Sequence, residues 1–319
     1  MIGTFRRTVS PFIRSSRPAD PQGPTFTGGM EVKRRFLFAP ALAVVLLAGG
    51  IKAQVPDRPG TVLFQVTTPD SAHTSYLFGT HHAFGESFLD SLPVVREKLF
   101  LCRELIVESV QSAGDLANAR TTTTDWTRYL GRADLAYVQE VFSAGNVDLD
   151  RLTPAELHAT LMRYHNMRVC GARQPEDTAS TLDGLLIALA TRQGLALTGL
   201  ESAADQLVLL NKDVEGMPRK VHKRRLKAAV ERIRSGNPGG CAEVERYARL
   251  DWELRLGEPC GNALMLTDRN ARWLPAIVER MNNGSCFVAV GLSHLMFQCG
   301  LIERLRGLGY GVEPVPMRR

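Results

Sequence analysis

The sequence predicts an α/β fold: a central mixed, partly parallel sheet built from both ends of the chain, with a largely helical insert between. Three observations predict it. An apolar β-type run, Tyr76-Leu77-Phe78, ends in Gly79-Thr80-His81-His82 near the start of the chain. A second such run, Phe287-Val288-Ala289-Val290, ends in Gly291-Leu292-Ser293-His294 near its end. Between them, residues 111–260 carry mainly helical patterns.

Taken in order, Val62 to Val66 reads as a strand, Thr67 to Thr74 as a turn and Ser75 to Phe78 as a second strand, so the pair forms a hairpin. Gly79 to Gly85 is a loop. Leu92-Pro93 opens a helix that runs to about Leu101, with proline in the first turn, where its missing N–H costs nothing. Glu104 to Glu108 follows as a strand, and strand–helix–strand order predicts a parallel, right-handed crossover. Thr121 to Thr124 reads as a loop before a helix at Trp126. Thr153-Pro154-Ala155-Glu156 is a helix start with an N-cap threonine and a glutamate at the third position. Leu182 to Arg192 is a helix, Leu195 to Glu201 a strand with a polar end, and Ala203 to Leu210 another helix. The basic run Arg219 to Arg225 reads as a solvated helix face preceding Leu226 to Arg234. Leu264 to Met281 is a long helix stopped at Asn282-Asn283-Gly284, Ser285 to Val290 a strand, Leu301 to Gly307 a helix and Gly309 to Val315 a terminal strand.

The 319 residues carry 44% hydrophobic and 23% charged side chains, the balance of a globular protein, and a net charge of +6. That charge is local. Residues 1–53 hold eight basic residues against Asp20 and Glu31, and removing these leaves 31 basic and 31 acidic residues. The remainder is formally neutral and gives no reason to expect nucleic acid as a partner. Within the first segment, Lys33-Arg34-Arg35, the apolar stretch Phe36 to Gly50 and Ile51-Lys52-Ala53 have the order of a secretion signal spanning 30–53, with residues 1–29 a non-structured leader or an over-extended start. The apolar stretch is short for a membrane span, so no stable span is expected after cleavage and the chain is expected to be exported, periplasmic or secreted. The alternative is a retained N-terminal anchor.

All six cysteines (Cys102, Cys170, Cys241, Cys260, Cys286, Cys299) lie beyond that segment, an even count that permits disulfides in an exported chain. Cys241 and Cys260, each beside glycine and flanking one helical segment, are the first pair to test. Six cysteines allow 15 pairings, so the rest stays open.

In α/β sheets ligands gather at the carboxyl ends of the strands. Four polar residues fall at such ends: His82 (or His81), Glu108, Glu201 and His294. Gly79 and Gly291 let the backbone turn sharply and approach a ligand. Imidazole and carboxylate suit zinc, manganese or cobalt. No His-Glu-x-x-His or Gly-x-Ser-x-Gly is present, which leaves zincin and α/β-type serine hydrolase chemistry unsupported. His158 and His165, seven apart on one helix face, read as surface or packing residues. Cys286 begins its strand, so a pairing with His294 would place it at the wrong end.

At this point the residues carry a family resemblance. Tyr76 to His82, Leu92-Pro93, Glu108, Gly199-Leu200-Glu201 with Asp205-Gln206-Leu207, Arg269-Asn270 with Trp273, Val290 to Leu295, Gly300-Leu301 and Gly309 to Val312 appear in one order. The chain resembles the TraB/GumN family, which includes the Tiki metalloproteases, over about residues 60–316. The resemblance implies a divalent-metal site made by the two Gly-x-x-His motifs and a glutamate, with peptide-bond hydrolysis in the Tiki branch. Carried onto this sequence, His82, His294 and Glu108 become metal or catalytic residues. Arg269 and Asn270 stand near the site, with Arg269 able to stabilise an oxyanion, and Glu201 is either a site residue or a helix cap. His81 departs from the family's apolar residue, and Met296-Phe297-Gln298-Cys299 implies an altered loop stapled through Cys299. The resulting expectation is an exported hydrolase acting on a peptide or protein. The alternative is an envelope binding protein that sequesters a peptide or polysaccharide precursor without cleaving it.

Overall fold

A computed structural model of the chain describes residues 56–110, 113–143, 148–177 and 181–317. The expectations for 1–29 and 30–53 lie outside the described residues. Strands β1 (Leu63–Thr67) and β2 (Thr74–Thr80) form the expected antiparallel hairpin, with Leu63 opposite Phe78. A short helix α1 (Glu86–Asp90) interrupts the following loop, and α2 (Pro93–Phe100) starts on its proline. Next come β3 (Glu104–Val107), α3 (Ala113–Ala119), α4 (Arg132–Phe142) and α5 (Pro154–Arg168). Helix α5 opens on a full capping box: Thr153 Oγ1 accepts from the Glu156 N–H, and the Glu156 carboxylate accepts from the Thr153 N–H. Helix α6 (Leu182–Arg192), strand β4 (Ala196–Gly199), α7 (Ala203–Lys212), α8 (Arg219–Arg234) and α9 (Ala242–Ala248) complete the insert. The chain closes with α10 (Asp268–Asn283), β5 (Cys286–Gly291), α11 (Leu301–Gly307) and β6 (Gly311–Pro314).

The strands form one mixed sheet in the order β4-β3-β5-β2-β1-β6. The four from β4 to β2 run parallel; β1 is antiparallel to both its neighbours. Strands β2 and β3 are joined through α2 yet are not hydrogen-bonded neighbours, because β5, arriving from the far end of the sequence, lies between them. This is the expected assembly from both ends. Five of six residues of β5 are buried, as a parallel strand covered on both faces requires. The main core collects Phe64, Phe78, Leu105, Phe287 and Trp273 around the sheet. A second core, with Trp126, Leu157, Leu161, Leu226 and Val230, belongs wholly to the helical insert.

Three local expectations are corrected. Trp126 begins a single 3-10 turn, Trp126–Arg128, because Asp125 caps it by accepting from the Thr127 N–H; the helix itself starts at Arg132. The basic run is the helix face expected, but the helix starts with it at Arg219, not at Leu226, since Pro218 sets the helix start and Leu226, Ala229, Val230 and Ile233 bury one stripe. The Cys241–Cys260 pairing is overturned: Cys241 bonds Cys170, and Cys260 bonds Cys299. Helix α9 carries the chain away from Cys241, whose side chain faces the segment just after α5. Two disulfides point to an oxidising environment. Among the described residues no helix is long and apolar enough to cross a membrane.

Candidate metal centre

The parallel register brings the sequence motifs together. Thr80 pairs with Gly291 and Gly79 with Val290, so the two Gly-x-x-His turns leave the sheet side by side. They pack closely: a Cβ added at Gly79 would lie 3.1 Å from Leu292 Cα and would push the Leu292 side chain aside. On the other flank of β5, Val107 pairs with Ala289, and Glu108 follows one residue later. Beyond it the Glu201 N–H donates to the Glu108 carbonyl, extending the β3–β4 pairing past the strand ends. The carboxyl ends of β4, β3, β5 and β2 thus present Glu201, Glu108, His294 and His82 along one edge.

Gly291 marks the centre. A methyl built on it would lie 3.2 Å from Glu108 Oε1, 3.7 Å from His294 Cδ2 and 4.0 Å from His82 Nε2. The Gly291 N–H donates to Glu108 Oε1 at 2.8 Å, and His294 Nε2 stands 3.8 Å from that oxygen. Helix α10 supplies the back wall. Arg269 donates from Nη2 to Glu108 Oε2 at 2.7 Å, from Nε to Glu201 Oε2 at 3.2 Å, and again to Glu201 Oε1. Its Nη1 donates to His294 Nε2 at 2.9 Å. Since Arg269 can only donate, that nitrogen carries the lone pair and Nδ1 carries the hydrogen, which goes to Asn270 Oδ1 at 2.8 Å. Asn270 is fully buried, and its Nδ2 donates to the carbonyls of His294 and Cys299. One turn on, Trp273 lies against the His294 ring, 4.5 Å between centroids, and under the Arg269 guanidinium.

A model of the TraB/PrgY/gumN family matches residues 62–314. The chain belongs to the TraB/PrgY/gumN family. No curated protein and no solved structure matches it. The matched span of this TraB/PrgY/gumN chain contains the whole sheet edge and both Gly-x-x-His turns.

Two residues outside the sequence expectation shape the site. Asp183, in the first turn of α6, accepts from Thr80 Oγ1 at 2.9 Å and holds His82 Nδ1 at 2.8 Å, leaving His82 Nε2 turned toward Gly291. Tyr247 of α9 donates its hydroxyl to the Gly79 carbonyl at 2.7 Å. Asp183 lies 101 residues from His82 in the chain, and the only local signal is an acidic residue in a helix first turn beginning Thr181-Leu182-Asp183. His81 turns away from the centre. Its ring sits 5.2 Å from those of Phe84 and Tyr247, and its Nδ1 accepts from the Ala83 N–H.

The two histidines sit in opposite fields. The Asp183 carboxylate raises His82 to a pKa of about 9 against the cost of desolvation. Burial lowers His294 to about 4, with Arg269 adding to the effect. For Glu108 burial pushes upward, but His294, His82, Arg269 and the Gly291 N–H outweigh it and hold the carboxyl at about 2. At neutral pH, with His294 uncharged, the lasting pull comes from protonated His82, the ion pair to Arg269 and the Gly291 N–H.

His82 Nε2, Glu108 and His294 Nε2 are two imidazoles and one carboxylate, a chemistry suited to a divalent transition metal, but their donor atoms do not all lie within 4.8 Å of one another. Each imidazole has its Nδ1 engaged by an outer partner, the arrangement that orients metal-binding histidines. Arg269 occupies the His294 lone pair, so His294 becomes a ligand only when Arg269 releases it. One group of three donor atoms lies mutually within 4.8 Å among the described residues, His165, Cys170 and Cys241. Its two sulfurs are bonded to each other, so it offers no thiolate. His165 is buried, donates from Nε2 to the Asn237 carbonyl and packs on the disulfide, and His158 lies beside Arg225. Cys286 is buried at the far end of β5, where burial pushes its thiol to about 12.

Proposed function

We propose that the protein is an exported, divalent-metal-dependent hydrolase that cleaves peptide bonds. The observation that supports this best is the convergence of His82, Glu108 and His294 on Gly291 at the carboxyl edge of four parallel strands. His82, His294 and Glu108 would hold manganese, cobalt or zinc, with Glu108 either a ligand or the general base. Such an ion, when bound, acidifies water and polarises a carbonyl. The chain's own residues do the rest. To hold such an ion His82 would give up its Nε2 proton, with Asp183 keeping the ring aimed. For His294 to hold the ion Arg269 would have to leave its Nε2, and its bonds to Glu201 would keep the guanidinium at the site, where it could take up negative charge developing on the carbonyl oxygen. Hydrolysis adds water's hydroxyl to the carbonyl carbon and its proton to the departing amine.

The test is cleavage of a mixed peptide library with and without manganese, cobalt or zinc. Metal-stimulated cleavage that disappears in folded His82→Ala and His294→Ala variants is expected; full activity in both ends the reading. The second reading is a binding protein that holds a peptide or polysaccharide precursor uncut. It is favoured by Arg269, an internal cation already engaging Glu108 and His294. That reading requires ligand binding with no cleavage under any of the three metals.

A further inference from the structure

A cavity of about 840 Å³ opens beside His82 and Gly291. It lies where the two hydrophobic cores approach each other. Met162 and Phe142 reach it from the insert's core, and Met167, Trp252 and Met296 from the sheet's core. The Trp252 indole N–H is satisfied at Met296 Sδ, 2.9 Å away, so that ring offers the cavity apolar surface. The charged lining is Arg163 of α5, Glu243 of α9 and, at the mouth, His82. The volume is within the range of roughly 300–1,000 Å³ typical of ligand pockets, larger than one side chain needs. Three thioethers, two from α5 and one from Met296, make walls that adapt to varied apolar shapes.

We propose that this cavity is the substrate's side-chain site, and that it takes a peptide segment with two or more large apolar side chains adjacent to the bond held at His82 and Gly291. This rests on the peptide-hydrolase reading for the position of the bond, while the apolar selection rests on the cavity alone. The occupant follows from continuity: the residues that end β2 and β5 line both the metal-donor edge and the cavity mouth. A chain crossing Gly291 therefore lays its neighbouring side chains against α5. The lining is mainly apolar, with few charged groups, so apolar contact is the basis of selection.

Calorimetric titration of the full chain with two end-blocked hexapeptides tests this, with a chelator present so that binding is read without turnover. The peptides are identical except for adjacent Leu-Phe in one and Ser-Asn in the other. Tighter binding of the Leu-Phe peptide by about tenfold or more is expected, as burial of one such side chain provides. Ala159 lines the cavity from an exposed helical position, so Ala159→Glu keeps the fold while placing a charge in the apolar space. That variant should lose most of the preference. Equal binding of the two peptides, or an undiminished preference in Ala159→Glu, overturns the inference. A wild-type chain that prefers the Leu-Phe peptide yet cleaves nothing with manganese, cobalt or zinc sinks the hydrolase reading and leaves the apolar cavity site standing.

Discussion

The two Gly-x-x-His turns have the same sequence pattern and opposite surroundings. His82 ends β2 with its side chain 54% exposed, held by a carboxylate and inclined to carry a proton. His294 follows β5 with its side chain 3% exposed, held by a neutral amide and inclined to shed one. Each turn is also secured by its own disulfide. Cys170–Cys241 fixes the start of α9, which carries Tyr247 to the Gly79 carbonyl. Cys260–Cys299 fixes the loop whose Cys299 carbonyl receives Asn270. The difference amounts to a division of labour: one imidazole is a rigid, buried fixture, and the other stands at the cavity mouth where ligand and solvent reach it.

The largest break in this asymmetry comes from Arg269. Its guanidinium joins Glu108, Glu201 and His294, and all four side chains are buried. Replacing it with methionine strands two buried carboxylates, and we expect a loss of about 3–5 kcal/mol in urea unfolding at pH 7. The sign of the pH dependence follows from Glu108. Its folded pKa of about 2 lies below its ordinary 4.5, so its contribution is present above pH 4.5 and is lost as pH falls toward 2. Arg269→Met should weaken that acid limb; an unchanged limb would show that the ion pair does not set the Glu108 pKa.

Next in size is the staple on the His294 side. A Cys260→Ser/Cys299→Ser double variant should lose about 2–4 kcal/mol, read by thermal or urea unfolding under oxidising conditions. Hydrogen exchange would locate the damage. Faster exchange is expected in the 292–300 loop, with the amides of β2 unaffected; uniform acceleration over both turns would mean that the two ends are not separately secured.

How much of this was legible in the sequence depended on how local each signal is. Strand-end residues such as His82, Glu108, Glu201 and His294 are readable because an apolar run followed by a polar turn is a short-range pattern. The capping box at Thr153 and the stop at Gly284 are readable for the same reason. Asp183 is not, because its meaning depends on α6 packing against β2, a contact across about a hundred residues. The cysteine pairing failed likewise. Proximity along the chain favoured Cys241 with Cys260, but α9 separates them, and tertiary packing brings Cys241 to Cys170 instead. The start of α8 falls earlier than expected: its first two turns carry Arg219, Lys220, Lys223, Arg224 and Arg225, unfavourable at a helix N-terminus, and the helix is held by its buried stripe further on.

Proton affinity sharpens the contrast at a smaller energetic scale. In metal-free protein, the His82 pKa of about 9 lies above its ordinary 6.5, so the stability it contributes is complete below pH 6.5 and is lost as pH rises through 9. His294 has the reverse sign: its pKa of about 4 means stability falls as pH drops from 6.5 toward 4. Asp183→Asn should bring the His82 titration, followed by NMR of the ring protons, down toward 6.5 while leaving His294 low. A His82 that still titrates near 9 in that variant would remove Asp183 as the cause.

The smallest expected effect tests whether α9 positions the His82 turn or merely covers it. Tyr247→Phe keeps the ring that packs on His81 and Phe84 and removes the single hydrogen bond to the Gly79 carbonyl. About 0.5–1.5 kcal/mol of stability should be lost, the usual net value of one such bond. Because Gly79 begins the Gly-x-x-His turn, the loss should also appear locally, as faster amide exchange at Thr80 through Ala83 and weaker metal binding, with the His294 turn unaltered. A stability loss without that local signature would make Tyr247 a packing residue, and the positioning of His82 would then fall to Asp183 and Thr80 alone.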